Sequence, residues 1–245
     1  MTRGKVYVVG FGPGDKKNMT FGAADAITDS DVVIGYKVYT ELLRGIFPSK
    51  TYESSHMLKE IERCEQAVRM AMDGKKVSMV SSGDSGIYGM AGAVYQVAEE
   101  MNADIDIDVI PGITAASGAA ALLGAPLMHD FAVISLSDLL TPLDLIMKRI
   151  EHASVSDMII CIYNPKSKGR SEYVNMAADI MIKYRPGETP VGIARNIGRE
   201  GENITLTTLG ELKDAEVDMF STIIVGNSQS YVRNGRMITP RGYEV

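Results

Sequence analysis

Three glycine-rich segments of this sequence follow short apolar runs, where an α/β sheet commonly binds ligands. The first, GFGPGD at 10–15, follows the apolar run at 6–9. It does not fit a dinucleotide fingerprint, because Pro13 lacks an N–H and the next helix is predicted to begin only near Thr20, whereas a pyrophosphate needs free N–H groups at a helix start. A tight turn that ends a parallel strand explains this glycine cluster as well as a ligand-binding role does. No G-K-S or G-K-T sequence is present, so a phosphate loop has no support.

The second segment, SSGDSGIYGMAG at 81–92, ends a predicted parallel strand and leads into a helix. Gly83 and Gly86 allow a backbone to come close to a ligand, and Asp84 offers a carboxylate to a ribose or an ammonium group. The alternative is that Asp84 only caps the following helix. Both interpretations stay open from the sequence.

The third segment, PGITAASGAAALLGAP at 111–126, also follows a predicted strand. Thr114, Ala115 and Ala116 would place small side chains and free N–H groups at the start of a helix, which suits a flat adenine or a sugar. The alternative, a small-residue helix packed closely on the sheet, is compatible with that function.

Basic residues cluster in two loops of the second half, YNPKSKGRSEY at 163–173 and ARNIGREGE at 194–202. Arginine pairs bidentately with carboxylates and lysine acts as a point charge, so these side chains are candidate anchors for a polycarboxylate. The alternative is that each is a solvated loop charge. The candidates are Lys166, Lys168, Arg170, Arg195 and Arg199.

One histidine lies beside a carboxylate, His129 next to Asp130, and this pair is the candidate for proton transfer. The alternative is a histidine whose hydrogen bonds are satisfied by its neighbours. His56 and His152 are far away in the sequence, and no two histidines have ligand spacing on one element, so no metal site is predicted.

The pattern of strands and helices that must position these residues indicates an α/β protein. It predicts two domains, 1–125 and 126–245, with the boundary close to Pro126. The first domain is expected to hold a mostly parallel sheet, since strands alternate with helices. The second is expected to hold a mixed sheet, since its last strands follow one another closely. Strands are predicted near 6–9, 31–34, 77–82, 105–110, 132–136, 158–163, 191–195, 204–209 and 221–225. Helices are predicted near 20–28, 38–46, 58–73, 86–101, 113–123, 142–151 and 170–184.

The composition excludes several classes of protein. A net charge of −6 disfavours a general nucleic-acid binder, which would need a basic surface. The longest apolar stretches are interrupted by serine and proline, so no membrane helix is expected. Cys64 and Cys161 are predicted to be buried thiols of a reducing compartment rather than a disulfide. With no signal peptide visible after the first residues, the mature chain is expected to start here and to be cytoplasmic.

Taken together, the segments resemble the tetrapyrrole (corrin and porphyrin) methylase family, which has a G-x-G-P-G-D turn, here GFGPGD, and a loop of the type G-D-x-x-x-Y-G, here GDSGIYG. The resemblance runs from end to end. The segments SSGDSGIYGMAG, HDFAVISLSDLLTP, YNPKSKGR, ARNIGREGE and TPRGY look like the branch that methylates C17 of a precorrin-3-type substrate. Met128 and Leu143 depart from that pattern, where a small residue and a tryptophan are expected.

The resemblance implies the tetrapyrrole methylase fold, in which a cleft between the two domains holds S-adenosylmethionine, and a homodimer. It implies methyl transfer to C17 of a precorrin-3-type tetrapyrrole, coupled to ring contraction, in cobalamin biosynthesis, with S-adenosylhomocysteine as the second product. Carried over position by position, it implies cofactor contacts at Gly12, Gly83, Asp84, Ile87, Thr114, Ala115, Tyr163, Ala194 and Asn196. The substrate is then expected at Lys166, Lys168, Arg170 and Arg195, and any acid or base at His129 or Asp130.

Two other functions stay open at this point. A sibling enzyme would use the same cofactor on another corrin carbon, on uroporphyrinogen or on the modified histidine of elongation factor 2. A noncatalytic protein would bind a corrinoid without a stoichiometric S-adenosylmethionine site. The sequence also leaves open whether the substrate carries cobalt.

Overall fold

Short β-branched runs in the first half of the chain form one parallel sheet in the computed structural model, which describes residues 3–56, 58–167 and 169–244. The strands lie side by side in the order β3-β2-β4-β1-β5, and every pair is parallel. They are β1 (Lys5–Gly10), β2 (Val32–Tyr36), β3 (Thr51–Ser55), β4 (Lys76–Ser81) and β5 (Asp106–Ile110).

Helices cover both faces of this sheet, as parallel strands require. They are α1 (Phe21–Asp29), α2 (Lys37–Ile46), α3 (Glu60–Met72) and α4 (Ala91–Glu100). One face packs α3 and α4 on Val8, Ile34 and Met79. The other packs α1 and α2 on Val9 and Val80. The predicted cap is confirmed, because the Thr20 hydroxyl accepts a hydrogen bond from the N–H of Ala23 at 3.1 Å.

The helix α4 begins later than the predicted residue 86. Tyr88 has a left-handed φ of 53°, which a regular helix does not allow. A Cβ added to Gly89 would lie 2.4 Å from the carbonyl oxygen of Ser85, so the chain turns tightly there. Segment 85–90 is therefore a loop, and the helix starts at Ala91.

The second half of the chain forms a mixed five-stranded sheet in the order β10-β9-β11-β8-β7. Only the β7–β8 pair is parallel, and the other pairs are antiparallel. The strands are β7 (Phe131–Ser135), β8 (Ile159–Tyr163), β9 (Pro190–Arg195), β10 (Asn203–Thr208) and β11 (Ser221–Val225). The prediction of an α/β fold with a parallel and a mixed sheet is confirmed.

Two helices and a short hairpin complete this half. The helices are α6 (Leu143–Val155) and α7 (Tyr173–Met181), and they pack on Ile160, Ile162 and Ile193. The hairpin of β12 (Tyr231–Arg233) and β13 (Arg236–Ile238) pairs with β6 (Gly124–Ala125). These three strands were not predicted, because they are too short for a period-2 pattern. The strand β3 was not predicted either, since most of its residues are exposed and it has no apolar run.

The chain divides into two compact units, Met1–Ala115 and Ala116–Val245. The predicted boundary lay at 125–126 instead. The helix α5 (Ala115–Leu123) and β6 belong almost wholly to the second unit, because β6 pairs with β13 and a Cβ on Gly192 would lie 2.5 Å from the Leu123 side chain. None of the helices within the described ranges is long and apolar enough to cross a membrane.

Candidate active site

In the first unit, the loops that follow β1, β4 and β5 meet backbone to backbone. A Cβ on Gly12 would lie 2.2 Å from the carbonyl oxygen of Ile113 and 2.4 Å from the Cα of Gly83. A Cβ on Gly112 would lie 2.2 Å from the carbonyl oxygen of Gly83. The N–H of Gly12 donates to that same carbonyl at 2.9 Å. No side chain fits at Gly12 or Gly112, and Gly83 has a left-handed φ of 68°, so all three loops favour glycine.

A carboxylate fastens two of these loops together. Oδ1 of Asp84 accepts from the N–H of Gly86 at 2.8 Å, and Oδ2 accepts from the N–H of Gly112 at 3.0 Å. Asp84 does not cap α4, whose N-cap position is Met90. Its carboxylate therefore holds the loop after β4 against the loop after β5, and each oxygen keeps a second lone pair for another donor.

The cofactor residues predicted in the first unit lie together at the carboxyl ends of its strands. Gly12 touches Gly83, and a Cβ on Gly83 would lie 3.7 Å from the N of Ala115 and 3.8 Å from the Cα of Thr114. Ile87 is 40% exposed on the loop that follows Asp84. The result is a surface made of backbone and small side chains, of a kind that suits a flat group bound by N–H donors.

One buried hydroxyl beside this surface was missed in the sequence. Ser81 ends β4 and is 5% exposed, and its Oγ has no hydrogen-bond partner among the described residues. Its strand register places it next to Gly10. The sequence signal for it is a serine at the end of an apolar strand, two residues before Gly83.

In the second unit, Tyr163 ends β8 with its ring buried. Its hydroxyl accepts from the N–H of Ala116 at 2.6 Å, in the first turn of α5. A free N–H at a helix start is thus satisfied by a side chain from a neighbouring strand. This bond fixes the start of α5, directly after the predicted contact residues Thr114 and Ala115.

The other cofactor residues predicted in this unit lie at the end of β9. Ala194 is fully buried in the strand, while Asn196 adopts a left-handed φ of 52° just beyond it. The N–H of Asn196 donates to the carbonyl of Phe220 at 3.2 Å. Tyr163 and Asn196 share one edge of the sheet, because β8 and β9 run in the same direction on either side of β11.

Two of the predicted substrate anchors are bound within the protein. Arg195 forms an ion pair with Asp218 at 2.6 Å. Arg170 donates to the carbonyl of Leu136 at 3.0 Å and to Oγ of Ser167 at 3.0 Å. These contacts use part of each guanidinium's donors to hold loops, so each arginine already has a partner within the protein.

Lys166 differs from the two arginines. Lys166 is half-buried and has no hydrogen bond or ion pair with any residue that the structure describes. It follows Tyr163 and Asn164 at the same edge of the sheet. Lys168, the other predicted anchor in this loop, lies outside the described residues.

His129 and Asp130 lie at the opposite edge of the second sheet. They precede β7, whose first residue Phe131 pairs with Ile159, whereas its last residue Ser135 pairs with Tyr163. At about 3.3 Å per residue, the two edges are separated by about 13 Å of strand. The structure therefore does not bring this pair to the other candidates of its unit. The pair instead lines a surface cavity of about 580 Å³ with Asp157, Met158, Asn227 and Gln229.

The described residues contain no group of three histidine, cysteine, aspartate or glutamate side chains that could hold a metal ion. Both cysteines are free and buried. Burial raises the pKa of the Cys64 thiol to about 11 and that of Cys161 to about 12. At neutral pH both stay protonated, so neither supplies a thiolate nucleophile.

These loops can be compared with known families. A family model described as Tetrapyrrole (Corrin/Porphyrin) Methylases matches residues 5–213. The chain belongs to the tetrapyrrole methylase family. The GFGPGD and GDSGIYG segments that carried the resemblance are the first two of the three loops that meet at the strand ends.

Individual members of the family match most of the chain. A Salmonella typhimurium relative, named "Probable cobalt-factor III C(17)-methyltransferase", is 48% identical over 96% of this chain and 98% of its own length. A relative from Sinorhizobium sp, named "Precorrin-3B C(17)-methyltransferase", is 36% identical over 98% of this chain and 97% of its own length. The crystal structure of the methyltransferase CobJ superposes with a TM-score of 0.89 at 33% identity, and covers 97% of this chain and 100% of that one.

Proposed function

We propose that this chain transfers the methyl group of S-adenosylmethionine to C17 of a precorrin-3-type tetrapyrrole, coupled to ring contraction, in cobalamin biosynthesis. The observation that carries the proposal is the glycine-built contact of the three strand-end loops at Gly12, Gly83 and Gly112. It occurs in a member of the tetrapyrrole methylase family whose relatives are named C(17)-methyltransferases.

The substrate we propose carries cobalt. The relative named for cobalt-factor III is 48% identical to this chain, whereas the relative named for precorrin-3B is 36% identical. Both matches cover almost the whole chain, so the difference does not come from a missing segment. The cobalt ion belongs to this substrate, and the protein needs no metal site of its own.

When bound, S-adenosylmethionine supplies a methyl group already activated on a sulfonium, so the protein needs no nucleophile of its own. What it must provide is alignment of the two reactants and exclusion of water. The backbone loops of the first unit provide a rigid surface for the adenosine part, with N–H donors where α5 begins. Asp84 keeps two of these loops in register.

The second unit contributes groups at the edge that carries Tyr163. We assign cofactor contacts there to Tyr163, Ala194 and Asn196, and substrate carboxylates to Lys166 and Lys168. Arg170 and Arg195 act by positioning loops, since each is already bound within the protein. A homodimer and a cytoplasmic location complete the proposal, and the two buried free thiols agree with a reducing compartment.

The test is incubation with S-adenosylmethionine and enzymatically prepared cobalt-factor III or precorrin-3B, followed by mass spectrometry and absorbance of the product. One added methyl group and the spectrum of a contracted ring are expected with the cobalt-loaded substrate. Transfer to precorrin-3B alone would contradict the cobalt assignment. No transfer to either, despite stoichiometric S-adenosylmethionine binding, would indicate a sibling methyltransferase, and no such binding would indicate a noncatalytic corrinoid carrier.

A further inference from the structure

Two adjacent leucines in the second unit are exposed on a loop that polar contacts hold in place. Leu139 is 66% exposed and Leu140 is 98% exposed. They lie in segment 136–142, which follows β7 at the sheet edge that also carries Tyr163. Single exposed leucines are common, but a consecutive pair at a ligand-binding edge of a sheet calls for a partner.

The segment is fastened to its neighbours at its start. Leu136 is fully buried, and its N–H donates to the carbonyl of Tyr163 at 2.9 Å. Oγ of Ser135 accepts from the N–H of Ser137 at 3.1 Å and from Nδ2 of Asn164 at 2.9 Å. The start of this loop is therefore bound to the start of the loop that follows β8.

A polar network supports the segment from below. The hydroxyl of Tyr173 donates to Oδ2 of Asp138 at 2.7 Å. Arg170 donates to the carbonyl of Leu136 and lies 3.9 Å from Oδ1 of Asp138. The Arg170 side chain is only 15% exposed, so its contacts are shielded from water. The network holds Asp138 in place, while the side chains of Leu139 and Leu140 are exposed.

A cation lies in the adjacent loop. Lys166 is half-buried and without a partner in the described part of the chain. The two loops leave neighbouring parallel strands, whose pairing Ser135 to Tyr163 sets them side by side. An apolar pair beside an unpaired cation matches a ligand with a flat apolar face and carboxylates at its rim, which describes a tetrapyrrole with acetate and propionate arms.

We propose that segment 136–142 is a platform on which one face of the tetrapyrrole rests, with Leu139 and Leu140 as its contact residues. Asp138, Arg170 and Tyr173 are positioning residues that hold the platform in place. This inference rests on the proposed function, which it deepens by naming the groups that recognise the ring rather than the cofactor. It also gives the two basic residues of this loop different roles: the partly buried Arg170 holds the platform, while Lys166 remains for a carboxylate.

The test compares a Leu139→Ser, Leu140→Ser double variant with Val155→Ser, a matched control that removes a 59% exposed apolar side chain at the end of α6. The equilibrium constant for cobalt-factor III is measured by absorbance titration with S-adenosylhomocysteine present, so that no turnover is needed. Burial of two leucines against the ring predicts a Kd and KM raised about tenfold or more in the double variant. The Kd for S-adenosylmethionine and the Tm of the double variant are expected to match those of the wild type. The control variant is expected to match the wild type in every one of these quantities.

Conservative variants separate contact from support. Leu140→Met keeps the apolar character of the side chain and is expected to raise the Kd for the tetrapyrrole less than Leu140→Ser does. Tyr173→Phe removes the donor to Asp138, and it is expected to raise KM about threefold to tenfold with kcat unchanged, since one hydrogen bond to a charged group is lost. A Tyr173→Phe effect on Tm alone would assign that residue to stability and remove it from the positioning network.

A wild-type Kd for the tetrapyrrole in the double variant would overturn the proposal. So would a halved mass in light scattering, which would assign the leucines to an interface between two copies. If the wild type binds the tetrapyrrole without methylating it, the proposed function fails while the comparison of Kd values still decides the platform. If the wild type binds neither cobalt-factor III nor precorrin-3B, both are overturned.

Discussion

The carboxylate of Asp84 accepts a hydrogen bond from the N–H of Gly112 at 3.0 Å, across two strands that are both neighbours of β1. The contact fixes the distance between the loop after β4 and the loop after β5. Asp84, which the sequence suggested as a cofactor ligand, thus also holds two loops of the candidate site together. A substitution there changes the loops as well as the proposed cofactor contact.

Replacing Asp84 by alanine is expected to lower the free energy of unfolding by about 1–3 kcal/mol, because two backbone N–H groups lose a charged acceptor. The Kd for S-adenosylmethionine should rise as the two loops separate. Asp84→Asn keeps one acceptor and should cost less on both counts. Urea denaturation and calorimetric titration measure the two effects, with the exposed Asp25→Ala as the control. Wild-type stability of Asp84→Ala would show that these hydrogen bonds are unimportant.

Adding a methyl group at Gly112 is expected to disrupt the meeting of the loops. In Gly112→Ala, the Cβ would lie 2.2 Å from the carbonyl oxygen of Gly83, and backbone cannot yield as a flexible side chain does. The free energy of unfolding should fall by about 1–3 kcal/mol, with loss of S-adenosylmethionine binding. Gly92→Ala is the matched control, since nothing lies within 4 Å of that Cβ and the helix gains up to about 1 kcal/mol. Equal stability of the two variants would contradict the close contact.

The variant His129→Ala, Asp130→Asn is expected to form the contracted product at close to the wild-type rate. Both residues lie at the edge of the second sheet opposite Tyr163. A general acid or base contributes about 10²–10⁴-fold to a rate, so single-turnover product formation separates the two cases clearly. A loss of that size, with stability and S-adenosylmethionine binding retained, would restore the proton-transfer role predicted from the sequence.

The two thiols are expected to be unreactive in the folded protein. Burial raises the pKa of Cys64 to about 11 and that of Cys161 to about 12, so little thiolate forms at pH 8. A chromogenic disulfide reagent should detect no thiol before guanidinium is added and both thiols afterwards. Rapid reaction of either in the native protein would show that it is accessible.

The same shifts set a pH dependence of stability. The pKa of each thiol is higher in the folded than in the unfolded chain, where it is about 8.5. Their contribution is therefore complete below about pH 8.5 and is lost as the pH rises through the folded-state values. Urea denaturation between pH 8 and 10 should show a smaller decline for a Cys64→Ala, Cys161→Ala variant than for the wild type.

The sequence by itself determined the class of fold and the position of the glycine-rich loops at the strand ends. Period-2 and period-3.6 patterns located the longer strands and helices, because each of these elements buries one face or both. The strand-end segments could be found because each needs glycine for a physical reason. The close backbone contacts of Gly12 and Gly112 exclude a Cβ, and Gly83 has a left-handed φ of 68°. Such positions are recognisable in the sequence because they require one residue type, whereas most packed positions accept several.

Only the tertiary structure decided which polar residues act together. Arg170 and Lys166 look equivalent in the sequence, yet one is bound to Leu136 and the other has no partner in the described ranges. His129 precedes β7 and Tyr163 ends the neighbouring parallel strand β8, so the length of the strands separates the two residues. Such differences depend on register and on partners distant in the chain, and a local pattern of residues contains neither.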